Sequence, residues 1–480
     1  MGAAGILGYG AYVPITRLKR SAIHAANGWF GSPRGSGEKA VSDWDEDAVT
    51  MAVEAARDCL GERDRSATDA VWLASTTAPF ADRQNAGLVK EALDLRDQTG
   101  SIDAGGSQRA GTSSLIAALD AAAGSGRTIL HCASERALPA PASQREMTSG
   151  DAAACLLVGT GDVICEVIGS HSVTIDFVDH FRESGESTDY DWEARWVRDE
   201  GYGGLMGKAV REALARLDIE GSAVAHFIAP IAVRGVSQSL AKGAGIAPEA
   251  VADTLDSVIG HAGVAHPTLM LAALLEKAKP GETILLTGFG QGVDVIALRA
   301  TDRISAFRPR LGVSGWLARR RESENYIKYL FHRNLLALDR GMRAEHDEKQ
   351  SLPALWRNRK GVMALVGGKC AKTGTVQFPR SEVSVNPNGH AVGTQEDYPL
   401  ADLPARIMTY TADSLAYSPN PPSCYGNVEF EGGGRLMAEF TDIDPAAIEV
   451  GQAMRMMFRI KGIDERRGFR RYFWKAAPAF

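Results

Sequence analysis

Short apolar blocks alternate with amphipathic stretches and glycine turns from residue 1 to about residue 303. Ala70–Ser75, Thr128–Ala133, Ala153–Val158, Val224–Pro230 and Thr283–Gly288 are compact apolar runs bounded by turn residues, the pattern of buried strands. Asp47–Leu60, Ala86–Leu95, Thr112–Ala123, Met206–Leu217 and Pro267–Ala278 carry the helical period. Gly5–Pro14 alternates like a first strand. Strands alternating with helices predict an α/β architecture whose sheet faces are covered by helices. The turn, helix, strand order of the first half loosely recurs in the second, so two similar halves are expected over residues 1–167 and 168–303.

Beyond Arg303 the character changes. Trp316–Glu345 is rich in arginine and carries an apolar stripe at helical spacing: Tyr326, Tyr329, Leu330, Leu335 and Leu338. This reads as part of an amphipathic helical connector over residues 304–360. A basic nucleic-acid helix fits less well, because the chain as a whole is acidic. From Gly361 strands dominate: Met363–Val366, Thr375–Phe378, Ala405–Tyr410, Gly426–Phe430, Arg435–Phe440 and Met454–Ile460, separated by Gly, Pro or Asn. That spacing predicts a small β-barrel or sandwich.

At 480 residues, two or three domains are expected, with the ordinary soluble composition of 45% hydrophobic and 23% charged residues. A net charge of −6 gives no reason to expect nucleic acid as a partner. No apolar run approaches a membrane span, and Met1–Pro14 lacks the layout of a secretory leader. Cysteines 59, 132, 155, 165, 370 and 424 are scattered without paired spacing, as buried thiols of a reducing compartment are. A cytoplasmic protein without a disulfide framework is expected.

The chemistry concentrates at Ile102–Thr112, where a small-residue turn feeds an apolar helix. Acyl-transfer enzymes place their nucleophile on such a turn. Here the position is Gln108, which cannot attack a carbonyl. Ser107 beside it has no evident base or acid to activate it.

Several segments in order resemble the thiolase superfamily, in particular its hydroxymethylglutaryl-CoA-synthase-like and ketoacyl-synthase-III-like branches. They are Gly8-Tyr-Gly-Ala-Tyr-Val-Pro14, Asp45-Glu-Asp-Ala-Val-Thr-Met51, Gln108-Arg-Ala-Gly-Thr112, Gly150-Asp-Ala-Ala-Ala154, Lys279-Pro-Gly-Glu-Thr-Ile-Leu-Leu286 and Gly288-Phe-Gly-Gln-Gly292. The resemblance implies a five-layer α/β/α/β/α fold of two similar halves and a homodimer. The tail resembles an acyl-CoA-associated family that joins a zinc ribbon to an OB-fold, through Gly374-Thr-Val-Gln-Phe-Pro-Arg380, Tyr410-Thr-Ala-Asp413, Glu431-Gly-Gly-Gly-Arg435 and Tyr472-Phe-Trp-Lys475. It implies a degenerate ribbon over 361–395 and an OB-fold over 396–480. Of the ribbon's four ligand places only Cys370 keeps a thiol. Thr373, Ser384 and Gly389 fill the others, and His390 adds at most a second ligand. That is too few for a tetrahedral zinc, so no metal is expected.

Hydroxymethylglutaryl-CoA synthases use a Cys, a Glu and a His. In register these places hold Gln108, Thr76 and Ile231. Gln108, His261 and His266 are the candidate catalytic residues. His261 stands where ketoacyl-synthase-III-like relatives carry an Asn, and an imidazole there can exchange protons near neutral pH. His266 precedes Pro267, a favourable first helical residue, and can simply end the loop. The turn at Gln291 and Gly292 would supply a backbone N–H to the reacting oxygen opposite that of Gln108, a contribution that does not depend on a thiol. Thr76 and the polar insert residues Asp179, His180, Arg182, Tyr190 and Glu193 are candidates for substrate binding, with a solvated interface loop as the plainer reading. Trp29 and Arg34 resemble contacts to CoA in relatives, Arg suiting phosphates by its fixed fork of donors.

These readings point to an acyl-CoA-dependent acyltransferase or lyase that cleaves, or makes, a C–C bond at a β-keto acyl group without an enzyme thiol. CoA or acetyl-CoA would be co-substrate. A non-catalytic scaffold subunit with a thiolase partner, and a decarboxylase or aldol-type lyase, are the alternatives.

Overall fold

The structure is a computed structural model that describes residues 4–479. Residues 1–3 of the stretch read as lacking a leader, and residue 480 of the OB segment, lie outside the described residues. The chain divides into two compact units.

The first unit holds residues up to 43, 47–89 and 96–329. Its nine-stranded sheet comprises β1 (Ala4–Tyr12), β2 (Ala70–Ala74), β3 (Gly100–Ala104), β4 (Ile129–Glu135), β5 (Ala152–Thr160), β6 (Cys165–Thr174), β7 (Val224–Ile228), β8 (Thr283–Phe289) and β9 (Gly292–Ala300). The spatial order is β7-β8-β9-β6-β1-β5-β4-β2-β3. Antiparallel pairing of β1 with β6 joins the two halves. Each half repeats one pattern. In the first, β2 lies parallel to β3 and β4, and antiparallel steps then lead through β5 to β1. In the second, β7 lies parallel to β8, and antiparallel steps lead through β9 to β6. Only a bridge between Phe227 and Val251 stands where β3 would recur.

Four helices complete the layers: α1 (Ala48–Leu60), α2 (Ala110–Ser125), α3 (Gly207–Arg216) and α4 (His266–Leu275). Helix α1 packs on β1, β4 and β5, while α3 packs on β6 and β9. Helices α2 and α4 touch each other and strands of both halves, so they form the middle of five layers. The composition of α4 fits that place, since a helix enclosed on all sides must be apolar around its whole circumference. Nine of the ten residues of α4 are buried. Helix α1 starts where the sequence places it, with Asp47 accepting from the Val49 and Thr50 amides at 3.0 Å each.

The expectation of a chain without a disulfide is overturned. Cys132 and Cys155 face each other across β4 and β5 and are joined as a disulfide. Sequence spacing hides this pair because the strands that align it are separated by a turn and a short helix. The stripe from Trp316 to Glu345 does not form one helix. It breaks into Gly312–Ala318, the strand Arg321–Ser323 paired with Thr16–Leu18, and Tyr326–His332, after which Asn334 adopts φ +58°. The apolar stripe is real as burial, with Tyr326 and Tyr329 5% exposed, but Leu338 is 47% exposed.

The second unit holds residues 44–46, 90–95 and 330 onward. Strands β10 (Ala405–Asp413), β11 (Ser423–Phe430), β12 (Arg435–Glu439), β13 (Ala453–Asp464) and β14 (Phe469–Pro478) form an antiparallel sheet ordered β12-β11-β10-β13-β14. A bridge from Phe440 to Ala476 brings its two edges together, as a small barrel requires. On the face opposite its apolar interior, buried Arg459 meets Asp442 and Glu46, and Lys475 meets Asp45. Before the barrel, Val366–Cys370, Val376–Gln377 and Gln395–Pro399 make a three-stranded sheet. The strand expected at Met363–Val366 begins only at Val366, because Met363 and Ala364 close a short helix and Leu365 turns at φ +53°. Cys370 Sγ lies 3.1 Å from Thr394 Oγ1, and the Thr373 hydroxyl is bonded to Thr375. Among the described residues no cluster of three His, Cys, Asp or Glu could hold a metal. No helix among them is long and apolar enough to cross a membrane.

Candidate active site

The register Ala104–Ala74–Ala133 aligns the carboxyl ends of the parallel strands β3, β2 and β4. The next few residues of each strand therefore emerge at one rim: the Gln108 turn after β3, Thr76 after β2, and Glu135 ending β4. Crevices at the carboxyl ends of parallel strands are where α/β proteins bind ligands.

Gln108 occupies the turn that opens α2, half-buried, and among the described residues its amide has no hydrogen-bond partner. The Phe289–Gly292 turn presses directly on it. A Cβ added at Gly290 would stand 2.9 Å from Arg109 N and 3.2 Å from Gln108 N, so only glycine lets the two backbones approach this closely. Ser107 Oγ donates to Gly290 O at 2.9 Å, and Arg109 Nε donates to the same oxygen at 3.2 Å. Ser107 is thus a clamp between the turns. Gln291 turns at φ +44° beside Gly292, whose absent side chain would collide with Val173 O.

Beneath lies a residue that sequence reading missed. Asp294, fully buried in β9, accepts from Arg109 Nη1 at 2.9 Å, Thr112 Oγ1 at 2.9 Å, Ser113 Oγ at 2.6 Å and Ser172 Oγ at 2.7 Å. An aspartate inside an otherwise apolar strand was the available signal, since a buried carboxylate needs donors.

The second histidine turn closes over the rim. His261 Nδ1 accepts from Gly263 N at 3.2 Å, and Nε2 lies 2.9 Å from Pro230 O. Both ring nitrogens are committed, the second as donor, which fixes the neutral ring. Burial first, then the Arg145 charge, pushes its pKa down to about 4. His266 is buried at the head of α4, its Nδ1 accepting from Ala262 N, and burial again holds it well below the ordinary histidine value. The two ring centroids lie 4.5 Å apart, the planes tilted by 33°. Gly111 of α2 meets Val264 O of this turn, and Gly263 covers Glu135.

Glu135, also unanticipated, is 3% exposed. Its oxygens accept from Thr76 N at 3.1 Å and Thr76 Oγ1 at 2.8 Å. Burial pushes its carboxyl up to about 7 against the hydrogen bonds of Thr76 and Thr77.

The insert after β6 reaches the same rim. Arg182 donates to Thr76 O and to Asp189 Oδ1, and Asp189 also meets Arg145. Both arginines are therefore neutralised by insert carboxylates. Asp179 is bonded to His180 Nδ1 at 2.8 Å; burial alone would raise its pKa, but the His180 contact brings it below the usual carboxylate range. Glu193 caps the short helix Ala194–Trp196, and Tyr190 is 57% exposed on a two-residue strand facing Phe181. The structure thus brings Thr76, Arg182 and Glu135 together, and leaves Glu193 and Tyr190 outward. Trp29, 85% exposed, and Arg34, also exposed, lie on a loop packed against Met147, with no contact to the Gln108 turn among the described residues.

Residues 214–300 match the 3-oxoacyl-[acyl-carrier-protein] synthase III C-terminal family, and residues 398–459 match the ChsH2 C-terminal OB-fold family. A hydroxymethylglutaryl-CoA synthase of Thermococcus sibiricus is 28% identical over 337 residues, 68% of this chain and 95% of that protein. Among solved structures, MvaS in complex with 3-hydroxy-3-methylglutaryl coenzyme A aligns with TM-score 0.59 at 20% identity, covering 70% of this chain and 93% of that one. A 3-oxoacyl-(acyl carrier protein) synthase III of Pseudomonas aeruginosa aligns at 0.56 and 21%, covering 62% and 98%.

Proposed function

We propose that this chain, which joins a thiolase-superfamily domain of the ketoacyl-synthase-III type to a C-terminal OB-fold, is an acyl-CoA-dependent enzyme of carbon–carbon bond chemistry. The relatives named hydroxymethylglutaryl-CoA synthase support that class, and the neighbours solved with CoA compounds support CoA as substrate. The finer reading is cleavage of a β-keto acyl group by CoA itself. The thiolate adds to the β-carbonyl, the alkoxide forms against backbone N–H groups of the Gln108 and Gln291–Gly292 turns, and the α–β bond then breaks. Two shorter acyl species result, one carried on CoA.

One observation carries this reading: the two turns are pressed together at the head of α2, backbone against backbone, at a turn whose residue 108 is a glutamine. Backbone donors at a helix N-terminus stabilise an oxyanion whatever side chain they bear. The test is incubation of the purified chain with CoA, or with acetyl-CoA for the reverse direction, and aliphatic or aromatic β-keto acids. New thioesters in the mass spectrum are expected. Their absence for every substrate, with no change in Gln108→Ala, would remove the reading.

A non-catalytic subunit is the second reading, favoured by His261 being held neutral through both ring nitrogens. A stoichiometric thiolase co-purifying from the native source would support it, whereas a bare homodimer would support the enzyme.

A further inference from the structure

A thiol-free cleavage needs one group that takes the proton of the attacking thiol and gives it to the carbon that is released. Each familiar candidate on the rim is spoken for. His261 and His266 are locked by backbone contacts, and Ser107 is spent on Gly290 O. Asp294 is saturated by four donors, Asp189 is paired with Arg145 and Arg182, and Asp179 with His180.

Glu135 differs from all of these. It has no cationic partner among the described residues, and its carboxylate is held only by the Thr76 amide, the Thr76 hydroxyl and Thr77. Of the charged groups around it, Asp189 pushes its ionisation upward, and Arg182 stops one residue short at Thr76 O. From the other side Gly263, at φ +48°, lies against its stem. A Cβ there would stand 2.8 Å from Glu135 Cγ. The same turn meets the head of α2 through Val264 O. Glu135 is therefore enclosed by two of the elements that build the rim, the Thr76 segment and the Gly263 turn, with no cationic partner among the described residues.

We propose that Glu135 is the acid–base residue of this site, accepting the thiol proton of CoA and delivering it to the α-carbon. This rests on the cleavage reading above. The CoA S–H proton passes to the carboxylate, and the sulfur pair forms the S–C bond while the carbonyl pair moves onto oxygen. When the carbonyl reforms, the α–β bond breaks, its electron pair stays on the α-carbon, and the Glu135 carboxylic acid protonates that carbon. Atoms and charge balance without oxidant or metal. A carboxyl that titrates near neutrality can do both halves, since the best proton carrier has a pKa near the working pH.

The experiment uses the full chain with CoA and two probes, 3-oxohexanoate and benzoylacetate. Glu135→Gln is expected to lower kcat by about 10²-fold or more, with KM for CoA within about threefold, and to abolish the ionisation near pH 7 in the kcat profile. Thr76→Val removes one donor to the carboxylate and is expected to move that ionisation upward. Wild-type-like kcat in Glu135→Gln overturns the proposal, as does an ionisation unmoved in Thr76→Val should Glu135→Gln fail to fold. If the wild type releases no thioester from either probe, the cleavage reading falls and this proposal with it. If the wild type turns over and Glu135→Gln does too, only the proposal falls.

Discussion

A glutamine stands at the head of α2, in a turn fastened on both sides. Ser107 and Arg109 fasten Gly290, and among the described residues the Gln108 amide has no hydrogen-bond partner. A cysteine placed there would sit at a helix N-terminus, where the macrodipole favours thiolate. Gln108→Cys is therefore expected to take up an acetyl group from acetyl-CoA, seen as a mass increase on the intact protein that hydroxylamine removes. A variant that stays unmodified over hours would mean the turn is closed to thioesters. At this scale the sequence is partly legible. The Gln108 turn announces itself through local composition, because a run of small residues before an apolar helix has few other uses. Glu135 carries no such signal. It ends an apolar strand, and what matters about it is Thr76, 59 positions earlier, brought alongside by parallel pairing.

Elements explain why the turn holds its shape. The Asp294 carboxylate gathers donors from α2, from the residue that caps it, and from β6, so it ties the middle layer to the second half of the sheet. Removing one partner of such a buried pair leaves an uncompensated charge and typically costs 3–5 kcal/mol. Asp294→Ala is expected to destabilise by about that much in urea titration. Asp294→Asn keeps one acceptor oxygen for the same donors and should lose less. Equal stability of Asp294→Ala and wild type would show that Arg109 finds another partner. Six of the nine strands and the four layer helices follow from apolar periodicity, since that signal is local, whereas Gly100–Ala104, Cys165–Thr174 and Gly292–Ala300 do not stand out from it. The stretch from Trp316 to Glu345 shows where the signal ends. Its stripe reports burial, yet burial is equally served by two short helices and a strand laid beside Thr16–Leu18. The Cys132–Cys155 pair was hidden for a related reason, being set by the register of β4 on β5.

For the whole molecule, buried titratable groups of opposite sense set the pH dependence of stability. Burial lowers His131 and His261 to about 4 and holds His266 well below its ordinary value. Between about pH 4 and 6.5 the unfolded chain binds more protons at these rings than the folded one, so stability falls as pH drops through that window. At 1.36 kcal/mol per unit, His131 and His261 account for about 3 kcal/mol each. Glu135 works the other way. Its folded value of about 7 lies above the unfolded value near 4.5, so the folded state holds a proton that the unfolded state has released. That term destabilises fully above pH 7 and is relieved as pH falls toward 4.5, returning about 3 kcal/mol. The wild type therefore gains at Glu135 part of what it loses at the histidines, and Glu135→Gln cannot. Between pH 7 and 5 the urea midpoint of Glu135→Gln is expected to fall further than that of the wild type, with the two curves converging at low pH. Parallel curves would mean that Glu135 is ionised in the folded protein like any surface glutamate.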